Sequence, residues 1–156
     1  MRYINATTEN LDKNIRFAIE QAIAENRSIF IYGSTGTGKT YMLHALAKER
    51  GEVDNFPYLL VKFRDHIQKG TYHFRMNSLT SQDYLFIDDI GAEKTTEFVQ
   101  EFLYLLVDKR YQNMKRTVFA TNLDLGEFRN RYGDRILSRL SEMCVFLELK
   151  GNDRRI

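Results

Sequence analysis

Apolar positions along the chain switch repeatedly between two periods. Leu11, Ile15, Ala18, Ile19, Ala22 and Ile23 recur at helical spacing, with Thr8 or Asn10 as the expected N-cap. Residues 28–32 then form a short apolar run closed by Gly33, the pattern of a buried strand. Residues 40–50 have helical composition and stop at Gly51. Further apolar runs at 58–63, 84–88, 117–121 and 145–149 predict the second to fifth strands. Between them, Phe98, Phe102, Leu105 and Leu106 mark one face of a long helix over about 95–112, and shorter helices are expected at 125–132 and 135–143. Strands that are apolar throughout, alternating with helices, predict an α/β fold with a parallel sheet covered on both faces.

Composition narrows the class. The 156 residues suit one domain with a substantial core, and 43% hydrophobic residues exclude intrinsic disorder. No apolar run reaches membrane-spanning length, and the polar start does not read as a signal peptide. The single cysteine, Cys144, makes neither an internal disulfide nor a zinc cage, so the cytoplasm is the expected compartment. Net charge is only +2, but it is uneven. Residues 1–108 carry 12 basic and 15 acidic side chains, whereas 109–156 carry 11 and 6, a shift from −3 to +5. That asymmetry fits either an anionic partner or an arginine-rich solvated surface.

The chemistry begins at residues 33–40, Gly33-Ser34-Thr35-Gly36-Thr37-Gly38-Lys39-Thr40, which is the P-loop pattern G-x-x-x-x-G-K-[ST] between a predicted strand and a predicted helix. The glycines let the backbone approach phosphate, and successive N–H groups make an anion nest at a helix N-terminus. Lys39 supplies a positive charge to the phosphates, and Thr40 is placed to ligate Mg²⁺. Residues 33–40, with Tyr41 following, are the expected ATP-binding segment.

Three further signals follow in order. Asp88 and Asp89 end the predicted third strand, where ligands sit in open parallel sheets. Asp88 suits the Walker-B role of holding Mg²⁺ with Thr40, and Asp89 suits polarising the attacking water. Asn122 closes the fourth strand, where an amide can orient water beside the γ-phosphate. Arg135 and Arg139 lie four apart on one helical face and are candidates for an arginine finger. Separately, residues 62–75 hold Lys62, Arg64, Lys69 and Arg75 with Phe63, Tyr72 and Phe74. A basic track with aromatic platforms suits single-stranded DNA, while core aromatics under a solvated face would produce the same letters.

In this order the signals resemble the AAA+ ATPases, and more narrowly the DnaC/DnaI helicase loaders and IstB transposition helpers. Asp88-Asp89-Ile90-Gly91 is similar to that family's D-D-[IL]-G, Arg110-Tyr111 to its R-Y segment, and Thr121-Asn122 to its sensor 1. Residues 133–140 resemble its box VII, with Arg139 at the finger position, and 149–155 resemble its G-x-D-x-R close. The resemblance implies a three-layer P-loop NTPase core with sheet order 5-1-4-3-2, ATP and Mg²⁺ as cofactors, and self-association through the ATP site, Arg139 reaching a neighbour's nucleotide. It also implies a replicative DNA helicase as partner and single-stranded DNA binding, an IstB-like role in transposition being the alternative.

The chain departs from the pattern in places. Ser34 stands where many AAA+ proteins have Pro, and Asp89 is one methylene shorter than the usual Glu, which predicts slow hydrolysis. About 27 residues precede the first predicted strand, room for one helix rather than the N-terminal helicase-gripping domain of the loaders, and no helical lid is expected after the fifth strand. Two other classes share the P-loop: small nucleoside kinases, which need an acceptor pocket and an arginine-bearing lid, and nucleotide-binding modules without hydrolysis.

Overall fold

The structure, a computed structural model, describes Tyr3 and residues 5–151, apart from the side chain of Asn10. The G-x-D-x-R resemblance beyond Gly151 therefore lies outside the described residues. A single 3-10 turn, Thr8–Asn10, leads into helix α1 (Lys13–Ala24), strand β1 (Ser28–Tyr32) and helix α2 (Lys39–Ala47). Next come β2 (Val53–Asn55), α3 (Phe56–Gln68), α4 (Tyr72–Ser81) and β3 (Tyr84–Ile90). The chain continues through α5 (Glu97–Gln112), β4 (Arg116–Thr121), α6 (Leu125–Tyr132), α7 (Asp134–Met143) and β5 (Cys144–Glu148). The N-cap of α1 is Asp12, whose carboxylate accepts from the Asn14 N–H at 2.9 Å, rather than either residue expected.

All strand pairs are parallel, in the order β2-β3-β4-β1-β5, which is the expected 5-1-4-3-2 read from the other edge. Strand residues alternate between two cores. Phe30, Leu85, Ile87 and Phe119 face α3, α5, α6 and α7, whereas Ile29, Ile31, Phe86, Val118 and Ala120 face α1 and α2. Phe30 anchors the larger core, with its ring 4.9 Å from Phe146 and 5.1 Å from Phe128. Among the described residues no helix is long and apolar enough to cross a membrane.

One expectation is overturned. Residues 58–63 are not the second strand; they lie inside α3. Phe56, Leu59, Leu60 and Phe63 are buried at helical spacing, Pro57 sits in the first turn, and Asn55 caps the helix by accepting from the Tyr58 N–H at 3.1 Å. The second strand is the three-residue β2 just before it, paired with Phe86, Ile87 and Asp88 of β3. Helix α4 fills much of the segment that follows.

Arg110 holds the lower part of the fold together. Its side chain is fully buried. Its Nε donates to Thr117 Oγ1 at 2.7 Å, Nη1 to the carbonyls of Leu79 and Gln82 at 2.9 and 2.8 Å, and Nη2 to that of Arg116 at 2.9 Å. One guanidinium thus ties the end of α4 to the start of β4.

Candidate nucleotide site

A parallel sheet brings the C-terminal ends of all strands to one side, and the candidate residues gather there. The turn between β1 and α2 needs its glycines. Gly36 and Gly38 have φ of +83° and +100°, and a Cβ on Gly33 would lie 2.2 Å from the Leu149 carbonyl oxygen. Lys39 Nζ donates to the carbonyls of Gly33 and Ser34, both at 2.7 Å, and Thr37 Oγ1 donates to the Ser34 carbonyl at 2.9 Å. Gly33 and Ser34 therefore act through their carbonyls as the base of the loop. Thr35, Gly36, Thr37, Gly38, Lys39, Thr40 and Tyr41 line the cleft itself, which has a volume of about 520 Å³.

The acids arrive from β3. Thr40 Oγ1 donates to Asp88 Oδ2 at 2.7 Å, joining two residues 48 apart in sequence, and Asp88 is only 6% exposed. A hydroxyl and a carboxylate side by side next to the P-loop are hard oxygen donors, and this pair fits Mg²⁺ held together with phosphate oxygens. Asp89 lines the cleft in a left-handed conformation, φ +59°. Its carboxyl is held above the ordinary range, first by burial and then by the neighbouring charge of Asp88. Asn55 Nδ2 donates to Asp89 Oδ2 at 2.9 Å and works against that rise. Asn122 lines the same cleft.

The rest of the cleft comes from residues that local patterns do not single out. Tyr3, Leu11 and Ile15 from the N-terminal segment, with Leu149 after β5, form an apolar wall suited to a base. The segment is tied to α2: the Tyr3 ring stacks on His44 at 4.6 Å, and the Thr7 N–H donates to the Tyr41 hydroxyl at 3.0 Å.

Arg135 and Arg139 are not in this cleft. They lie on α7 against α5, with guanidinium carbons 3.9 Å from the Tyr104 ring centre and 4.4 Å from that of Tyr111. Arg139 also pairs with Asp108 at 3.3 Å and Glu142 at 3.2 Å. The basic stretch is divided as well. Lys62 sits over the exposed Tyr58 ring at 4.6 Å, and Lys69 pairs with Asp65 at 2.9 Å. Arg64 covers Phe98 of α5, Tyr72 is half-buried against Phe63, and Arg75 lies close enough to Asp54 to act on its charge. The exposed aromatics of α3 and α4 are Tyr58 and Phe74, 61% and 79% accessible; Tyr58 lies outside the basic stretch, in a segment whose letters read as a strand.

Fold and site together define an AAA+ P-loop domain. A crystal structure of the DnaC helicase loader superimposes with a TM-score of 0.83 at 22% identity, over 96% of this chain and 99% of that one. Replication initiator DnaA bound to AMPPCP and single-stranded DNA superimposes with 0.80 at 26% identity, over 94% of this chain and 50% of that one. Within that class, the chain belongs to the family of IstB-like ATP binding proteins, which matches residues 7–156. It is 25% identical to the replicative helicase loader DnaI of Bacillus subtilis (strain 168), over 84% of this chain and 48% of that protein. It is 39% identical to the chromosomal replication initiator DnaA of Aquifex aeolicus (strain VF5), over 90% and 37%. The chain thus spans less than half the length of these two relatives.

Proposed function

We propose that this chain binds ATP, hydrolyses it slowly, and acts as an ATP-controlled switch on single-stranded DNA in replication. One observation carries the reading: Asn55 holds Asp89 with its amide nitrogen and caps α3 with its amide oxygen. A shift of α3, which presents Tyr58 and Lys62 outward, therefore reaches the acid beside the phosphates through a single side chain. Nucleotide and DNA would compete for, or share, the position of Asp89.

The roles follow from placement. The P-loop N–H groups cradle the phosphates, and Lys39 neutralises them. Thr40 and Asp88 would hold Mg²⁺, which when bound offsets phosphate charge. Asp89, its carboxyl raised, orients and deprotonates the attacking water, and Asn122 steadies it from β4. Asp89 is shorter than a glutamate and is held aside by the hydrogen bond from Asn55, which keeps turnover slow. Arg139, held outside its own cleft on α7, completes the site of a second copy. Replication is favoured by the likeness to DnaI and DnaA, with a replicative helicase as partner. The family match to IstB-like proteins favours transposition as the second reading, with the same site chemistry and a transposase in place of the helicase.

The test is ATP turnover with and without single-stranded DNA, in the unaltered protein and in Arg139→Ala. DNA should stimulate turnover, and Arg139→Ala should lose the stimulation while ATP affinity stays within about threefold. Loss of ATP binding in Arg139→Ala would refute the action on a second copy; turnover indifferent to DNA would refute the switch.

A further inference from the structure

The turn after β3 is unusual in its backbone. Asp89 and Gly91 both have positive φ, +59° and +101°, and the β3–β4 register shifts between Ile87 and Ile90. A non-glycine residue in this region persists only when its surroundings over-determine it. Part of the constraint is local: the Ala92 N–H donates to the Asp89 carbonyl at 3.1 Å, and Thr121 Oγ1 donates to that of Ile90 at 2.6 Å. The Asp89 N–H donates to Asp88 Oδ1 at 2.8 Å, and a further constraint comes from a residue outside every motif.

That residue is Glu93. Its side chain is only 5% exposed, an uncommon place for a carboxylate. One oxygen, Oε2, accepts from the Gly91 N–H at 2.9 Å. The other, Oε1, accepts from the Tyr132 hydroxyl and lies 4.0 Å from Arg131 Nη2. Tyr132 ends α6, is 4% exposed, and packs at a tilt against Phe128, ring centres 4.7 Å apart, in the larger core. Arg131 is itself fixed, its carbonyl accepting from Gln100 Nε2 of α5 at 2.8 Å. Glu93 is therefore a two-ended link from the turn carrying Asp89 to a rigid corner, and α7 with Arg135 and Arg139 starts from that same corner.

We propose that Glu93 is a positioning residue for hydrolysis: its carboxylate clamps the turn after β3 to the end of α6, and so holds Asp89 at the mouth of the cleft. This rests on the assignment of Asp89 as the group that orients water. A clamp of this kind leaves nucleotide affinity alone, because the P-loop does not depend on it. It acts on turnover, where a displacement of about 1 Å costs up to ~10²-fold.

The experiment measures kcat and ATP-analogue affinity, with active sites counted by nucleotide titration, for Glu93→Ala, Glu93→Gln, Tyr132→Phe and Asp89→Asn. Glu93→Ala should lower kcat at least about tenfold with analogue affinity within about threefold. Glu93→Gln, whose amide oxygen still accepts from Gly91, should recover to within about threefold of the unaltered protein. Tyr132→Phe keeps the packing and cuts one end of the clamp, so kcat should fall about threefold or more. If Glu93→Ala does not fold, Tyr132→Phe decides alone. A Glu93→Ala or Tyr132→Phe protein with normal kcat per active site, however unstable, overturns the proposal. Asp89→Asn separates the two levels: if it turns over normally, the reading of Asp89 fails whatever Glu93 does.

Discussion

Arg110 offers a quantitative test of how the fold is held. In Arg110→Met an unbranched side chain reaches about as far as Nε, and five N–H donors are lost. Two of the lost bonds, to Thr117 and Leu79, are fully buried, and two, to Gln82 and Arg116, are partly so. Bonds from a charged donor contribute about 1.5–3 kcal/mol each when buried, and less near solvent. Opposing them is the cost of burying the charge, which pushes the Arg110 pKa down to about 10 and is relieved by the substitution. The balance sets the expected loss at about 3 kcal/mol, a large part of the stability of any domain. In a chain of this size that lowers Tm by about 10 °C. Urea unfolding followed by circular dichroism measures the loss directly, and a cycle with Thr117→Val isolates the shared bond. Thr117→Val should cost about 1 kcal/mol alone and almost nothing in the Arg110→Met background. Arg110→Lys should be no better than Met, since one ammonium cannot span acceptors on two sides. A loss under about 0.5 kcal/mol in Arg110→Met would show that these acceptors do not depend on Arg110, and full additivity with Thr117→Val would show the same of the shared bond.

Two further outcomes concern Asp89. Its raised folded-state pKa means the ionised form is disfavoured in the fold, so this group's contribution falls as pH rises through that pKa and is unfavourable at neutral pH. Asp89→Asn removes that cost, keeps an acceptor for Asn55 and tolerates positive φ, so calorimetry at pH 7 should show a higher Tm while hydrolysis is lost; a lower Tm would refute the cost. Asn55→Ala removes a donor that lowers the Asp89 pKa, so the acid limb of the kcat profile should move to higher pH; a limb that stays put would separate Asn55 from the titrating group.

The parts legible in sequence were those set by short-range chemistry. The P-loop letters, the acids ending β3 and the apolar strands each carry their own signal, and they brought Thr40, Asp88, Asp89 and Asn122 to one place. The second strand depends on competition between periods. Residues 58–63 are apolar enough for a strand, and only the cap at Asn55, Pro57 in the first turn and the burial of Phe56 and Phe63 decide for a helix. Helix α4 carries a weak apolar signal because Tyr72, Met76 and Leu79 are diluted by His73, Arg75 and Asn77. The clamp at Glu93 and the apolar wall from Tyr3 to Ile15 were hidden for another reason: both are contacts between distant segments.

That apolar wall has a thermodynamic side. Part of it is a segment tied to α2 by a ring stack and by the hydrogen bond from the Thr7 N–H to the Tyr41 hydroxyl, contacts of the kind that open at low free energy. A nucleotide filling the cleft would bridge this segment to the loop, adding to its cohesion about 2.7 kcal/mol at a hundredfold excess over Kd, if affinity requires the wall. Nucleotide occupancy would then be written into the chain as a rate of local unfolding, readable by hydrogen exchange at Thr7 without any change in the average fold.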